Sequence, residues 1–132
     1  MRAYALTGDS AFLQEAEAAI RTTTDTLQPA ASGAGDPINF SLCHGASGNA
    51  EVLLYASKVL NRPEDAEICA RVGAYGIDRY EKEGAPWPCG VTEDGESPDL
   101  MLGLAGIGYF FLRLYDAERT PSVVIFTETS GY

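Results

Sequence analysis

The feature that most constrains this chain is an internal repeat. Gly45-Ala46-Ser47-Gly48 and Gly103-Leu104-Ala105-Gly106 each open an apolar segment, and each segment ends before a proline, Pro63 or Pro121. Both comparisons give the same offset, 58 residues. A weaker third copy opens the chain, where Ala5-Leu6-Thr7-Gly8-Asp9 resembles Val59-Leu60-Asn61-Arg62-Pro63. A helix, turn, helix, loop unit repeated in this way predicts stacked helical hairpins, each burying its apolar face against the next. The small residues at each inner-helix start let neighbouring backbones approach closely. Two and a half such units occupy the 132 residues, and the first residues read as the end of a helix. The expectation is therefore an all-α, incomplete array: a fragment, one half of a split protein, or a chain with an obligate partner.

Hydrophobic periodicity places four helices on this frame. The first covers about residues 9–26, with Phe12, Ala16, Ala19, Ile20 and Thr23 on its inner face. Pro29, Gly33, Gly35 and Pro37 mark residues 28–37 as loop. The second helix covers about 46–61. The third starts at Pro63, where the missing N–H has no partner to lose, and Glu64 and Asp65 suit its positive end. Its buried face is expected to hold Cys69, Val72, Gly73, Gly76, Ile77 and Tyr80. After a loop over 84–97, Ser97-Pro98-Asp99 reads as a helix start, with Ser97 as N-cap. The fourth helix then runs to about Asp116 and is apolar almost all round, as in a helix buried within a larger assembly. Val123-Val124-Ile125-Phe126 adds a short β-prone, extended segment.

Charge narrows the partners. Acidic residues outnumber basic ones 19 to 9, for a formal net charge of −10, and this argues against a nucleic-acid partner, which needs a basic surface. Residues 64–99 carry 10 acids and 3 bases, the pattern of a solvated outer face. The most apolar stretch, 100–115, is interrupted by Gly103, Gly106, Gly108 and Arg113, so no membrane span is expected. No signal segment is seen, and three cysteines without one point to a reducing, cytoplasmic setting.

Cys43-His44-Gly45 is the strongest candidate site. His44 is the only histidine, and it stands beside a cysteine at a loop-to-helix junction. Thiolate and imidazole are preferred zinc ligands, and a helix N-terminus favours the thiolate. The alternative is a small packed thiol beside a hydrogen-bonded histidine. Cys89, in Trp87-Pro88-Cys89-Gly90, is either a third ligand or a packed loop thiol; Cys69 reads as core. The glycines at 45, 48, 103, 106 and 108 lack the Gly-Lys-Ser/Thr of a phosphate loop. A single histidine, with nothing to place it near a nucleophile, supports no Ser/His/Asp set. Glu93 and Asp94 read as solvated loop charges. No catalytic residue is assigned.

These motifs carry a family resemblance. Ser41-Leu42-Cys43-His44-Gly45-Ala46-Ser47-Gly48 resembles the Cys-His-Gly zinc motif of LanC-like cyclases. Leu100-Met101-Leu102-Gly103-Leu104-Ala105-Gly106-Ile107-Gly108-Tyr109, followed by Leu112-Arg113-Leu114, resembles their last helix. Pro88-Cys89-Gly90-Val91, Ser97-Pro98 and Pro121-Ser122-Val123-Val124 are similar to the close of class II lanthionine synthetases. The resemblance runs from Ala3 to about Phe126 and marks residues 1–132 as the C-terminal part of a LanC-like cyclase domain.

The resemblance implies a partial α/α toroid and a Zn2+ ion with Cys43 and His44 as two of its three protein ligands. It implies lanthipeptide biosynthesis, in which cysteine thiolates of a precursor peptide add to dehydroalanine or dehydrobutyrine and close thioether rings. The family's other ligand is a cysteine in an earlier Trp-Cys-x-Gly type motif, and no cysteine precedes Cys43. The dehydratase that class II enzymes carry ahead of the cyclase is not in this sequence either. The expectation for the isolated chain is weak zinc binding and no ring closure, with a second chain as one way to complete the toroid. The rival readings are an inactive remnant or helical interaction module without zinc, and another toroid such as a glycan-processing enzyme. For the latter, Cys-His-Gly has no role and paired catalytic acids are not evident.

Overall fold

The computed structural model describes residues 1–37, 39–91 and 95–125. Among these the regular structure is helical throughout: α1 (Arg2–Thr7), α2 (Ser10–Ala31), α3 (Ala46–Val59), α4 (Pro63–Gly76) and α5 (Leu104–Tyr115), with a π-helical stretch, Ile77–Lys82, continuing α4. α3 packs most extensively on α4, α2 lies against both, and α5 meets α3 and α4. The arrangement is that of stacked helical hairpins, as the repeat predicts and as an arc of an α/α toroid requires.

Local chemistry sets the boundaries. Gly8, at φ 71°, ends α1 by donating its N–H to Tyr4 O, and Asp9 caps α2 by accepting from Ala11 N at 2.9 Å. Pro63 opens α4, and the buried Asp65 beside it pairs with Arg62 at 2.9 Å.

Two helix boundaries differ from expectation. α2 does not stop before Pro29 but carries it in its last turn and ends at Ala31. A proline this close to a C-terminus costs a single backbone bond, and the burial of Leu27, Ala30 and Ala31 holds the turn. The fourth helix begins at Leu104 rather than at Pro98. Ser97 accepts from Asp99 N at 3.3 Å, and Asp99 Oδ1 accepts from Met101 N and Leu102 N, each at 2.7 Å. These side chains fold the segment into a turn instead of a first helical turn.

Two buried faces also differ. Phe12 is exposed, and the inner face of α2 is Ala16, Ile20, Leu27, Ala30 and Ala31. Ile77 is 40% exposed, because the wider π-turn keeps Gly76 and Tyr80 inward and turns Ile77 onto a groove of about 620 Å³ shared with Trp87, Leu104 and Phe111. On α5, Gly106, Ile107, Phe110 and Arg113 are buried, whereas Leu112 and Tyr115 face solvent. Val123, Val124 and Ile125 bend without joining a ladder, and Phe126 lies outside the described residues, as do Glu93 and Asp94.

The core is anchored by Phe40, Phe110, Leu42, Leu53, Ile20 and Leu27, all fully buried. Phe40 meets Trp87 edge-on at 5.2 Å and Tyr80 at 5.6 Å. Trp87 Nε1 donates to Glu81 at 2.8 Å and its backbone N–H donates to Glu96 at 3.0 Å, so the 84–91 loop is pinned to the π-stretch. That placement brings the loop beside Cys43-His44.

Candidate functional site

Cys43 and His44 sit on the turn that leads into α3, and buried polar groups shape that turn. Asn39 Oδ1 accepts from Ser41 N at 3.0 Å and from Ser41 Oγ at 2.7 Å; Ser41 Oγ in turn accepts from His44 N at 3.4 Å. Ala46 N donates to Asn39 O and Gly45 N to Ser41 O. A Cβ on Gly45 would stand 2.1 Å from Asn39 Oδ1, so the turn closes only around glycine. Ser47 Oγ donates to Phe40 O at 2.6 Å and fixes the turn to the helix it precedes.

The second repeat builds the same turn. Leu104 N donates to Ser97 O and Gly103 N to Asp99 O, each 58 residues on from its counterpart. Gly48 packs against Leu42 O and Gly106 against Leu100 O, where a Cβ would stand 2.2 and 1.9 Å away. These glycines seat each helix on its own turn. Met101 and Leu102 occupy the positions of Cys43 and His44, so of these two turns only the first presents a thiol and an imidazole.

Three loops meet at the pair. Cys43 N donates to Met101 O at 2.9 Å, Gly90 N to Leu102 O at 2.7 Å, and Phe40 N to Pro88 O at 2.7 Å. Gly90 lies against the imidazole: a Cβ there would be 2.9 Å from His44 Cε1. The profile of the family described as lanthionine synthetase C-like protein matches residues 1–126.

The chain belongs to the lanthionine synthetase C-like family.

Neither a curated protein nor a solved structure matches it. In this lanthionine synthetase C-like chain, Cys43 and His44 are both exposed and both line one cleft of about 430 Å³. His44 also faces a smaller cleft, of about 210 Å³, shared with Asp36 and Asn49. At Asp36 the hydrogen bond from the Tyr75 hydroxyl, assisted by Arg79 at 3.5 Å, holds the carboxyl below the usual carboxylate range.

The remaining cysteines are engaged elsewhere. Cys89 is half-buried against the core, and its sulfur accepts from Ser97 N at 3.4 Å. Cys69 is buried and donates to Ala50 O at 3.2 Å; burial, together with the Asp65 and Glu51 carboxylates, pushes its thiol up to about 12. All three cysteines are free.

As zinc donors, Cys43 and His44 fit in type and in access. Among the described residues no set of three His, Cys, Asp or Glu side chains is grouped so as to hold a metal ion. The buried Asn39–Ser41 support was not anticipated from the motif itself. Its signal was nonetheless present, because the repeat offset pairs Asn39 with Ser97 and Ser41 with Asp99, small polar residues that shape both turns.

Among the described residues no helix is long and apolar enough to cross a membrane.

Proposed function

We propose that this chain is the C-terminal part of a zinc-dependent cyclase that closes thioether rings in a lanthipeptide precursor. One observation carries the reading: Cys43 and His44 both line one accessible cleft, on a turn held by the buried Asn39–Ser41 hydrogen bonds. Cys43 and His44 would hold the ion, which when bound lowers the pKa of a substrate thiol and keeps it as thiolate. In the reaction a cysteine sulfur bonds to the β-carbon of dehydroalanine or dehydrobutyrine. The double-bond electrons pass to the carbonyl as an enolate, and a proton returns at the α-carbon. The chain's own share is positional. Asn39, Ser41 and Gly90 fix the turn, and the Met101 carbonyl holds the Cys43 backbone from the other side.

A catalytic zinc site uses three protein ligands and one open position. The missing ligand is supplied by sequence or a second chain that completes the toroid, and the free cysteines suit a cytoplasmic setting. A second reading, a helical module without zinc or activity, is favoured by the engagement of Cys89, whose sulfur accepts from Ser97 N.

Metal content after purification, measured for wild type, Cys43→Ala, His44→Ala and Cys89→Ala alongside a thioether-formation assay, separates these readings. The cyclase reading expects substoichiometric zinc that disappears in Cys43→Ala and His44→Ala, with no ring closure until the rest of the toroid is supplied. Zinc content unchanged in both variants refutes the assignment. Loss in Cys89→Ala as well assigns that cysteine the third position.

A further inference from the structure

The cleft that holds Cys43 and His44 has a second wall, built by the segment after α5. Val123, Val124 and Ile125 line it, facing Leu42, Val52 and Met101 across the same space. Three sets of contacts anchor this segment. Arg113 Nη1 donates to Ala117 O at 2.8 Å and to Thr120 O. The Tyr109 hydroxyl donates to Pro121 O. Ser122 Oγ accepts from Val124 N at 3.3 Å and from Ile125 N at 3.1 Å. Arg113 is itself fixed, because its Nε lies 3.0 Å from both oxygens of the buried Glu51. The wall is thus tied to α3, the helix that the Cys-His turn begins.

We infer that this wall is a specificity subsite that receives an apolar side chain next to the reacting cysteine of the peptide substrate. The inference rests on the cyclase reading for the identity of the occupant. The cleft has its thiol and imidazole at one place, Asn49 beside them, and aliphatic or thioether side chains over most of the remainder; among the described residues no carboxylate, lysine or arginine lines it. A peptide whose cysteine reaches Cys43-His44 brings the adjacent residue against Val124 and Ile125. An apolar residue there is stabilised on leaving water, whereas a charged one gives up solvent without a charged partner among the described lining residues. The volume, about 430 Å³, is within the range of small-ligand sites and suits a short extended segment rather than a folded domain.

The test is fluorescence polarisation with labelled Gly-Gly-Cys-Leu-Gly and Gly-Gly-Cys-Glu-Gly, using the full chain as wild type, Val124→Lys, Ile125→Lys, Tyr109→Phe and Cys43→Ser, each matched to wild type by circular dichroism. Wild type should prefer the leucine peptide by roughly tenfold. Val124→Lys and Ile125→Lys should erase or invert that preference. Tyr109→Phe, which only frees the Pro121 carbonyl from its donor, should narrow it. Equal binding of the two peptides by wild type overturns the subsite, as does a preference that survives both lysine variants. If the preference persists while Cys43→Ser changes neither affinity nor zinc content, the subsite stands and the Cys-His reading falls.

Discussion

Arg113→Met should cost this fold a large share of its stability, and most of the loss should return when Glu51 is replaced as well. Glu51 is 1% exposed and Arg113 7%, and they join α3 to α5 through an Nε that lies 3.0 Å from each carboxylate oxygen. The other arm of Arg113 caps the carbonyls of Ala117 and Thr120. Methionine keeps much of the side chain's volume but leaves a buried carboxylate without its partner, which costs about 3–5 kcal/mol. Against a total stability of roughly 5–15 kcal/mol the change is easily read. With a urea dependence of about 2 kcal/mol/M, the midpoint should fall by about 2 M. Replacing both partners in Glu51→Leu/Arg113→Met removes the stranded charge, and the double variant should lie nearer wild type than either single variant. Urea titrations of the four proteins close the cycle. A single-variant loss below about 1 kcal/mol, or a double variant equal to the sum of the singles, would refute the claim that this pair is desolvated and coupled.

Other outcomes follow from the same geometry. Gly48→Ala and Gly106→Ala place a Cβ 2.2 and 1.9 Å from backbone carbonyl oxygens and should destabilise strongly, whereas Gly108→Ala, exposed in mid-α5 with nothing within 4 Å, should stabilise by about 0.5–1 kcal/mol in thermal melts. In timed alkylation followed by mass mapping, Cys43 should react in the native protein and Cys69 only on unfolding, since the first is exposed and the second buried. Burial raises the Cys69 thiol from 9.0 to about 12, so its contribution to stability is whole below pH 9 and is lost as pH rises through that window. Tyr80, also raised by burial, titrates in the same direction. Chemical denaturation at pH 8 and pH 11 should show a loss of stability that shrinks in Cys69→Ala; an equal loss in that variant would clear Cys69 of the effect.

The fold was legible where sequence pattern and backbone need coincide. Gly45 and Gly103 announce two helix starts because each turn excludes a Cβ, and Pro63 marks a third. Ser97-Pro98-Asp99 misled because the residues that cap a helix also close a tight turn, and the 2.7 Å bonds from Asp99 decide for the turn. Pro29 misled because a proline in the last helical turn loses little. The placement of Cys43-His44 at the start of α3 was readable. The tail at 123–125 was not, since its position depends on Arg113 and Tyr109 reaching carbonyls beyond the helix, a pairing no spacing rule encodes.

The bond from Cys43 N to Met101 O has a consequence for the order of events during synthesis. The thiol and imidazole leave the ribosome well before the residue that steadies them, because the support lies 58 positions later. Until α5 docks, the pair is held on one side only, by the Asn39 and Ser41 bonds of its own turn. The thiol therefore reaches its final setting only when the turn before α5 has formed, and until then it stays open to oxidation.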